Sequence, residues 1–106
     1  MALLDIPVDN VDPAFSFLID LDGRTYEFSF RWNGRIETWI FDIYDDTQTA
    51  IQLGVPFHTN QIFLEDNPSP DKPPGNLMAV NSAAEGVDAD RFSLGVDVKF
   101  LYDEVV

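Results

Sequence analysis

The single histidine and its neighbour are the first candidates for catalysis in this sequence. His58 is followed by Thr59, whereas nucleophilic catalysis needs a base beside a hydroxyl or thiol and a third group that orients the base. Adjacent residues of an extended strand point to opposite faces, so we do not expect His58 to activate Thr59. The chain has no cysteine, which excludes disulfides and thiolate metal sites. We interpret His58 as a surface or interface histidine.

Carboxylates are the other abundant reactive groups, since the chain has 19 Asp and Glu residues. Asp20 lies near Asp22, and Asp42 lies near Asp45 and Asp46. Carboxylate pairs can serve as the acid and base of a glycosidase, and their oxygens can bind calcium. Neither group has the spacing of an EF-hand loop, and aspartates beside turns mostly bond the local backbone. The residues therefore predict no enzyme, no cofactor and no metal site.

Two turn dipeptides divide the first half of the chain into strands. Asp22-Gly23 and Asn33-Gly34 are typical of two-residue hairpin turns, whose central residues need positive φ. The predicted pairs are Ile19 with Tyr26, Phe17 with Phe28 and Phe15 with Phe30 across the first turn, and Phe28 with Trp39 and Tyr26 with Phe41 across the second. These side chains share one face because side-chain direction alternates along a strand. The pattern predicts a three-stranded antiparallel meander over residues 14–21, 24–32 and 35–44.

The remaining segments complete an all-β prediction. Further strands are predicted over residues 51–55, within 58–65, and over 77–80 and 96–102. Pro7 and Pro13 predict an extended arm over residues 1–13, and four prolines predict a loop over residues 66–76. The sequence thus predicts one domain over residues 1–106, a small antiparallel β-sandwich or partly open barrel built on the N-terminal meander.

The third predicted strand is apolar on both sides. Trp39, Phe41 and Ile43 alternate along it with a second apolar set. That second set is Ile36, Ile40 and Tyr44. Strands with two apolar sides are usually covered on both, so the strand is either central or meets a partner with its back face.

The acidic balance limits the classes of partner. The net charge is −13, with 8 acids and 3 bases in residues 1–44 and 11 acids and 3 bases in residues 45–106. Such a charge opposes binding to nucleic-acid phosphates. The N-terminus lacks the basic region of a secretory signal, and no apolar run is long enough to cross a bilayer. We expect no nucleic-acid binding, no membrane contact and synthesis in a cytoplasm.

An ordered set of residues extends along most of the chain. It comprises Ile6-Pro7, Leu21-Asp22-Gly23-Arg24-x-Tyr26, Phe30-Arg31-Trp32-Asn33-x-Arg35, Trp39-x-x-Asp42-x-Tyr44-Asp45, Gly54-Val55-Pro56 and Leu94-Gly95-x-x-Val98-x-Phe100-x-Tyr102. In this order the set resembles the cyanophage-type baseplate plug family of contractile-tailed phages. The resemblance implies a non-enzymatic virion protein of the tail baseplate, assembled in the host cytoplasm, that plugs or braces the hub at the distal end of the tail tube. The implied partners are hub and spike proteins and further copies in a symmetric ring.

Contacts with such partners are predicted at apolar residues that have no evident cover. The predicted contact residues are Ile6, Pro7 and Val8 of the arm, Trp32, Ile40 and Tyr44 of the meander, and Pro70, Pro73 and Pro74 of the loop. Two alternatives stay open. The first is a carbohydrate- or receptor-binding β module that uses Trp32 and nearby acids, with or without calcium. The second is an acidic inhibitor that mimics DNA.

Overall fold

The computed structural model describes residues 3–59, 61–65, 67–68, 71–83 and 87–104. These residues form eight strands and no helix. The strands are β1 (Leu3–Ile6), β2 (Ala14–Leu21), β3 (Arg24–Asn33), β4 (Thr38–Tyr44), β5 (Ala50–Pro56), β6 (Ile62–Phe63), β7 (Asn76–Asn81) and β8 (Val98–Asp103). Within the same ranges, no helix is long and apolar enough to cross a membrane.

The strands form two antiparallel sheets of four strands each. One sheet has the order β2-β3-β4-β5 and the other has the order β1-β8-β7-β6. No strand of one sheet pairs with a strand of the other in the described part of the chain. The domain is therefore a small β-sandwich that does not close into a barrel, which confirms the predicted all-β class.

The first hairpin has the predicted register. Strand β2 pairs with β3 so that Phe17 lies opposite Phe28 and Phe15 lies opposite Phe30. Asp22 and Gly23 have φ of 50° and 86° at the turn, as a two-residue turn with two left-handed positions requires. Local turn chemistry is thus sufficient to set this pairing.

The second hairpin differs from the prediction in its register. Phe28 lies opposite Ile43 rather than Trp39, and Trp32 lies opposite Trp39. The turn is a four-residue loop over 34–37, and Glu37 takes the positive φ of 52°. The predicted register would have placed Arg35 and Glu37 on the aromatic face, opposite Trp32 and Phe30. The observed register moves both charges into the loop, because burying an unpaired charge costs more than lengthening a turn.

The other predicted strands are present with altered bounds. Strand β4 begins at Thr38 rather than at residue 35, because the loop takes the preceding residues. Among the described residues of the segment 58–65, only Ile62 and Phe63 form a strand, β6. The last strand starts at Val98, since Val96 lies in a turn and is exposed. Residues 3–6 of the predicted arm form β1, which pairs with β8.

The core lies between the two sheets and is mostly aromatic. Phe100 of β8 is fully buried at its centre. Its ring centroid lies 5.2–5.8 Å from those of Phe28, Phe30, Phe41, Phe57 and Phe63. Trp39 is also fully buried, as expected, and its Nε1 donates to the Asp90 carbonyl at 2.9 Å. This core packs the inner faces of the two sheets together, so their outer faces point away from each other.

Candidate interaction surface

The outer face of the β2–β5 sheet carries two of the predicted contact residues, Ile40 and Tyr44. Cross-strand pairing aligns its side chains in rows across the sheet. One row is Ala14, Arg31, Ile40 and Pro56, and another is Leu18, Glu27, Tyr44 and Ala50. Ile40 and Tyr44 are both half-buried, and the second sheet packs against the opposite face. The structure therefore brings these two residues together on one mixed apolar and polar surface.

An ion pair separates Ile40 from Tyr44 on this face. Arg31 Nη1 lies 3.0 Å from Asp42 Oδ2, and the other carboxylate oxygen of Asp42 accepts from the Gly54 amide at 2.6 Å. An exposed pair of this kind contributes little stability. The carboxylate of Asp42 is held against the sheet by Arg31 and Gly54. Because its charge is balanced by that of Arg31, the surface between the two apolar residues is locally neutral.

The clustered aspartates bond their own chain. Asp45 Oδ1 accepts from the hydroxyl and amide of Thr47 and from the amide of Thr49. The side-chain bond from Thr47 and the backbone bond from Thr49 lower the pKa of Asp45 below its ordinary value. Asp20 accepts from the Thr25 hydroxyl. Among the described residues, no three His, Asp or Glu side chains are grouped to hold a metal ion.

Trp32 borders a cleft at one end of the sandwich. It is half-buried and makes an edge contact with Trp39 at 5.6 Å. The cleft has a volume of about 360 Å³ and is lined by Trp32, Glu37, Asp88, Ala89, Asp90, Arg91 and Phe92. The Arg91 guanidinium lies over the rings of Trp39 and Phe92. The cleft therefore combines the half-buried ring of Trp32 and the exposed ring of Phe92 with three carboxylates and the Arg91 cation.

His58 lies beside this cleft and bonds a carboxylate rather than Thr59. Its Nδ1 lies 2.7 Å from Asp88 Oδ2, and the Thr59 amide and hydroxyl both donate to Asp88 Oδ1. Burial raises the pKa of Asp88, but the bonds from Thr59 and His58 outweigh it and lower that pKa overall. The partner of the Thr59 hydroxyl is therefore Asp88 rather than His58.

The N-terminal contact residues divide between core and surface. Ile6 and Val8 are 3% and 9% exposed and belong to the chain's own core. Pro7 between them is exposed. Of this segment, only Pro7 is available to a partner without unfolding. The alternation of burial follows from β1, whose inner face packs into the sandwich.

The proline-rich loop is held at its C-terminal end by a hydrogen bond from Gly75. Pro70 lies outside the described residues, Pro73 is buried and Pro74 is exposed. The Gly75 amide donates to the Tyr102 hydroxyl at 2.7 Å, and that hydroxyl donates to Asp22 Oδ2 at 2.6 Å. This chain of hydrogen bonds holds Pro74 near the first hairpin turn, a link that no local sequence signal indicates.

Alkaline pH should weaken this anchor. Burial first, and then the hydrogen bond to Asp22, raise the pKa of Tyr102 far above its ordinary value. In the unfolded chain tyrosine ionises near pH ~10, so above that pH the unfolded state binds fewer protons and the free energy of unfolding falls as pH rises toward the folded pKa. We expect the Tm to fall steeply above pH ~10. Thermal melts followed by circular dichroism test this, and the slope should be smaller in Tyr102→Phe. An identical slope in that variant would contradict the assignment.

Comparison of the sequence with protein families gives a finding independent of this geometry. Residues 3–105 match the family described as cyanophage baseplate Pam3 plug gp18. No curated protein matches the sequence. The matched range includes all eight strands, so the similarity covers the whole sandwich together with its outer face.

Proposed function

The chain belongs to the cyanophage baseplate plug family, and from this premise we propose that it acts without catalysis, by plugging or bracing the hub at the distal end of the tail tube. Its place is the tail baseplate of the virion. The observation that carries the proposal is the family match over residues 3–105. The packed core supports a rigid plug, and the outer face of the β2–β5 sheet supports its attachment.

A plug that works by shape needs a rigid body. The core between the sheets is a continuous cluster of aromatic rings in stacked and edge contacts. Close-packed interiors have low compressibility and transmit strain. The sandwich is therefore suited to resist force without changing its fold.

Attachment to the hub is proposed at the outer face of the β2–β5 sheet. Ile40 and Tyr44 provide two half-buried apolar contacts there, separated by the Arg31–Asp42 ion pair. Trp32, Pro7 and Pro74 add contacts at the ends of the sandwich. Copies of the chain are proposed to surround the tail axis in a symmetric ring.

The charge fits a position in a DNA conduit. A net charge of −13 repels phosphates, so DNA that passes a ring of such chains would not adhere to it. We accordingly propose protein partners alone, with no binding of nucleic acid.

Acidic substitutions on the outer face should abolish incorporation into tails. In the double variant Ile40→Asp/Tyr44→Asp, two carboxylates would be buried without partners at the hub contact, which costs several kcal/mol. We expect at least a tenfold loss of copies per tail, measured by quantitative mass spectrometry of purified tails. Both side chains point away from the core, so the fold should persist.

The matched control introduces the same two charges elsewhere. Val87→Asp/Val96→Asp alters two exposed apolar residues of the loop before β8. This control should be incorporated like the unaltered chain. Normal incorporation of a folded Ile40→Asp/Tyr44→Asp protein would exclude this face as the attachment site.

The cleft at Trp32 supports a second candidate function. Its aromatic rings and carboxylates are the groups that a carbohydrate-binding site uses, and sugars stack on exposed aromatic faces. Titration with glycans, in the presence and absence of calcium, tests this function through the intrinsic tryptophan fluorescence. A change in fluorescence would support the receptor-binding module, and no response to either would count against it.

A further inference from the structure

Strand β2 has a backbone edge eight residues long that pairs with no other strand in the described part of the chain. It pairs with β3 and lies at the end of its sheet. The Trp32 amide donates to the Pro13 carbonyl, and hydrogen-bonded pairs alternate in an antiparallel ladder. The outward-pointing amides and carbonyls are consequently those of Ala14, Ser16, Leu18 and Asp20. They form a regular row of donors and acceptors along the edge.

The other sheet edges carry the features by which proteins prevent edge pairing. Strand β5 has register shifts against β4 and ends at Pro56. Strand β1 has four residues and is followed by Pro7, and β6 has two residues. Strand β2 has neither proline nor bulge, and its single charge is Asp20. Of the four edges in the described part of the chain, β2 is the one left suited to pairing.

The inner face of β2 is incompletely covered. Phe15, Phe17 and Ile19 are half-buried. Their partners on β3 are Phe30, Phe28 and Tyr26, which are at most 1% exposed. An additional strand beside β2 would place its own side chains over this row. The edge thus offers apolar area as well as hydrogen bonds.

The charge around this edge selects the partner. Residues 1–23 contain five acids, Asp5, Asp9, Asp12, Asp20 and Asp22, and no Lys or Arg. The two cations that the register places beside β2 are Arg24 and Arg31 of β3, and both lie close to carboxylates of their own chain. Asp12 and Asp20 are exposed near the two ends of β2. A second copy of the chain would bring the same acids to the edge, and like charges placed opposite each other are unfavourable. The complementary segment is basic.

We propose that β2 is a docking strand, which rests on the proposed function and names the chemistry of the partner. An extended segment of another baseplate protein adds to the β2–β5 sheet as a fifth strand. Main-chain hydrogen bonds to Ser16 and Leu18 supply affinity, and alternate side chains supply specificity. Alternate apolar residues of that segment cover Phe15 and Phe17, and flanking Lys or Arg residues meet Asp12 and Asp20.

Proline at Ser16 tests the backbone contact. Ser16→Pro removes an outward amide and leaves the ladder with β3 intact, since edge strands tolerate proline where the amide faces solvent. Ser16→Thr keeps the amide and is the matched control. We expect at least a tenfold loss of copies per purified tail for Ser16→Pro and none for Ser16→Thr, with both variants folded by circular dichroism.

Charge reversal tests the choice of partner. Asp12→Lys/Asp20→Lys should lower the number of copies per tail at least fivefold, because it repels a basic segment. Glu65→Lys/Asp97→Lys makes the same change in net charge at exposed acids away from β2 and should have little effect. An unchanged or higher number of copies for the first pair would overturn the basic segment.

The outcomes separate this inference from the proposed function. Absence of the unaltered chain from tails would refute the plug itself. Presence of the unaltered chain and of a folded Ser16→Pro variant at equal copy number would refute only the docking strand.

Discussion

Replacing Phe100 by alanine is expected to destabilise the sandwich by about 3–5 kcal/mol. Phe100 is fully buried between the two sheets, and five aromatic rings surround it. The variant would leave a cavity whose lining comes from both sheets, which cannot collapse without moving one sheet against the other. Since total stability of a domain is ~5–15 kcal/mol, the loss takes a large share of it.

Thermal unfolding measures this loss directly. The Tm of Phe100→Ala should fall by roughly 15–25 °C. Phe92→Ala is the matched control, because Phe92 is 72% exposed and its removal should change stability by less than ~0.5 kcal/mol. Similar Tm values for the two variants would show that the sheets do not meet through Phe100.

Replacing Gly95 by alanine is expected to cost about 3–5 kcal/mol for a different reason. Gly95 has a φ of +81°, and a Cβ there would overlap the backbone carbonyl of Val8. Backbone cannot rotate aside as a side chain can. The substitution would therefore separate the segment after β1 from the turn before β8, and expose Val8, which belongs to the core.

The variant Gly23→Ala separates the strain of a positive φ from the overlap with a neighbouring backbone atom. Gly23 has a similar φ of +86°, but no atom lies within 4 Å of the position its Cβ would take. Its substitution should cost only the conformational strain, roughly 1–2 kcal/mol. Urea unfolding of both variants gives the comparison, and equal losses would mean that the approach of Val8 to Gly95 contributes nothing.

The two proposed surfaces belong to the same sheet but use different groups of it. The outer face presents the side chains of Ile40 and Tyr44 on β4, whereas the edge presents main-chain groups of β2. The substitutions Ile40→Asp/Tyr44→Asp and Ser16→Pro therefore test contacts that can fail independently. A chain that used both would be held by two partners, or by two parts of one partner, in the baseplate.

The first hairpin and the aromatic face were determined by the sequence itself. A turn with Asp22-Gly23 has one favourable two-residue geometry, and period-two alternation then places Phe15, Phe17 and Ile19 on one side. Both features depend on residues close together in the chain. Their contact is therefore encoded without reference to the rest of the fold.

The second hairpin was decided by tertiary packing. Asn33-Gly34 favours a tight turn as strongly as Asp22-Gly23 does, and the predicted and observed registers place the same strand positions on the aromatic face. They differ in whether Arg35 and Glu37 enter that face. This choice depends on the second sheet, which buries the face, and no local signal reports that burial.

The candidate surface was predictable in part. Alternation along β4 correctly placed Ile40 and Tyr44 opposite the core. Sequence alone could not show that Ile6 and Val8 are covered by their own domain, because apolar residues in an extended segment look alike whether they meet their own core or a partner. Periodicity determines which way a side chain points, and only the assembled sheets decide what lies there to meet it.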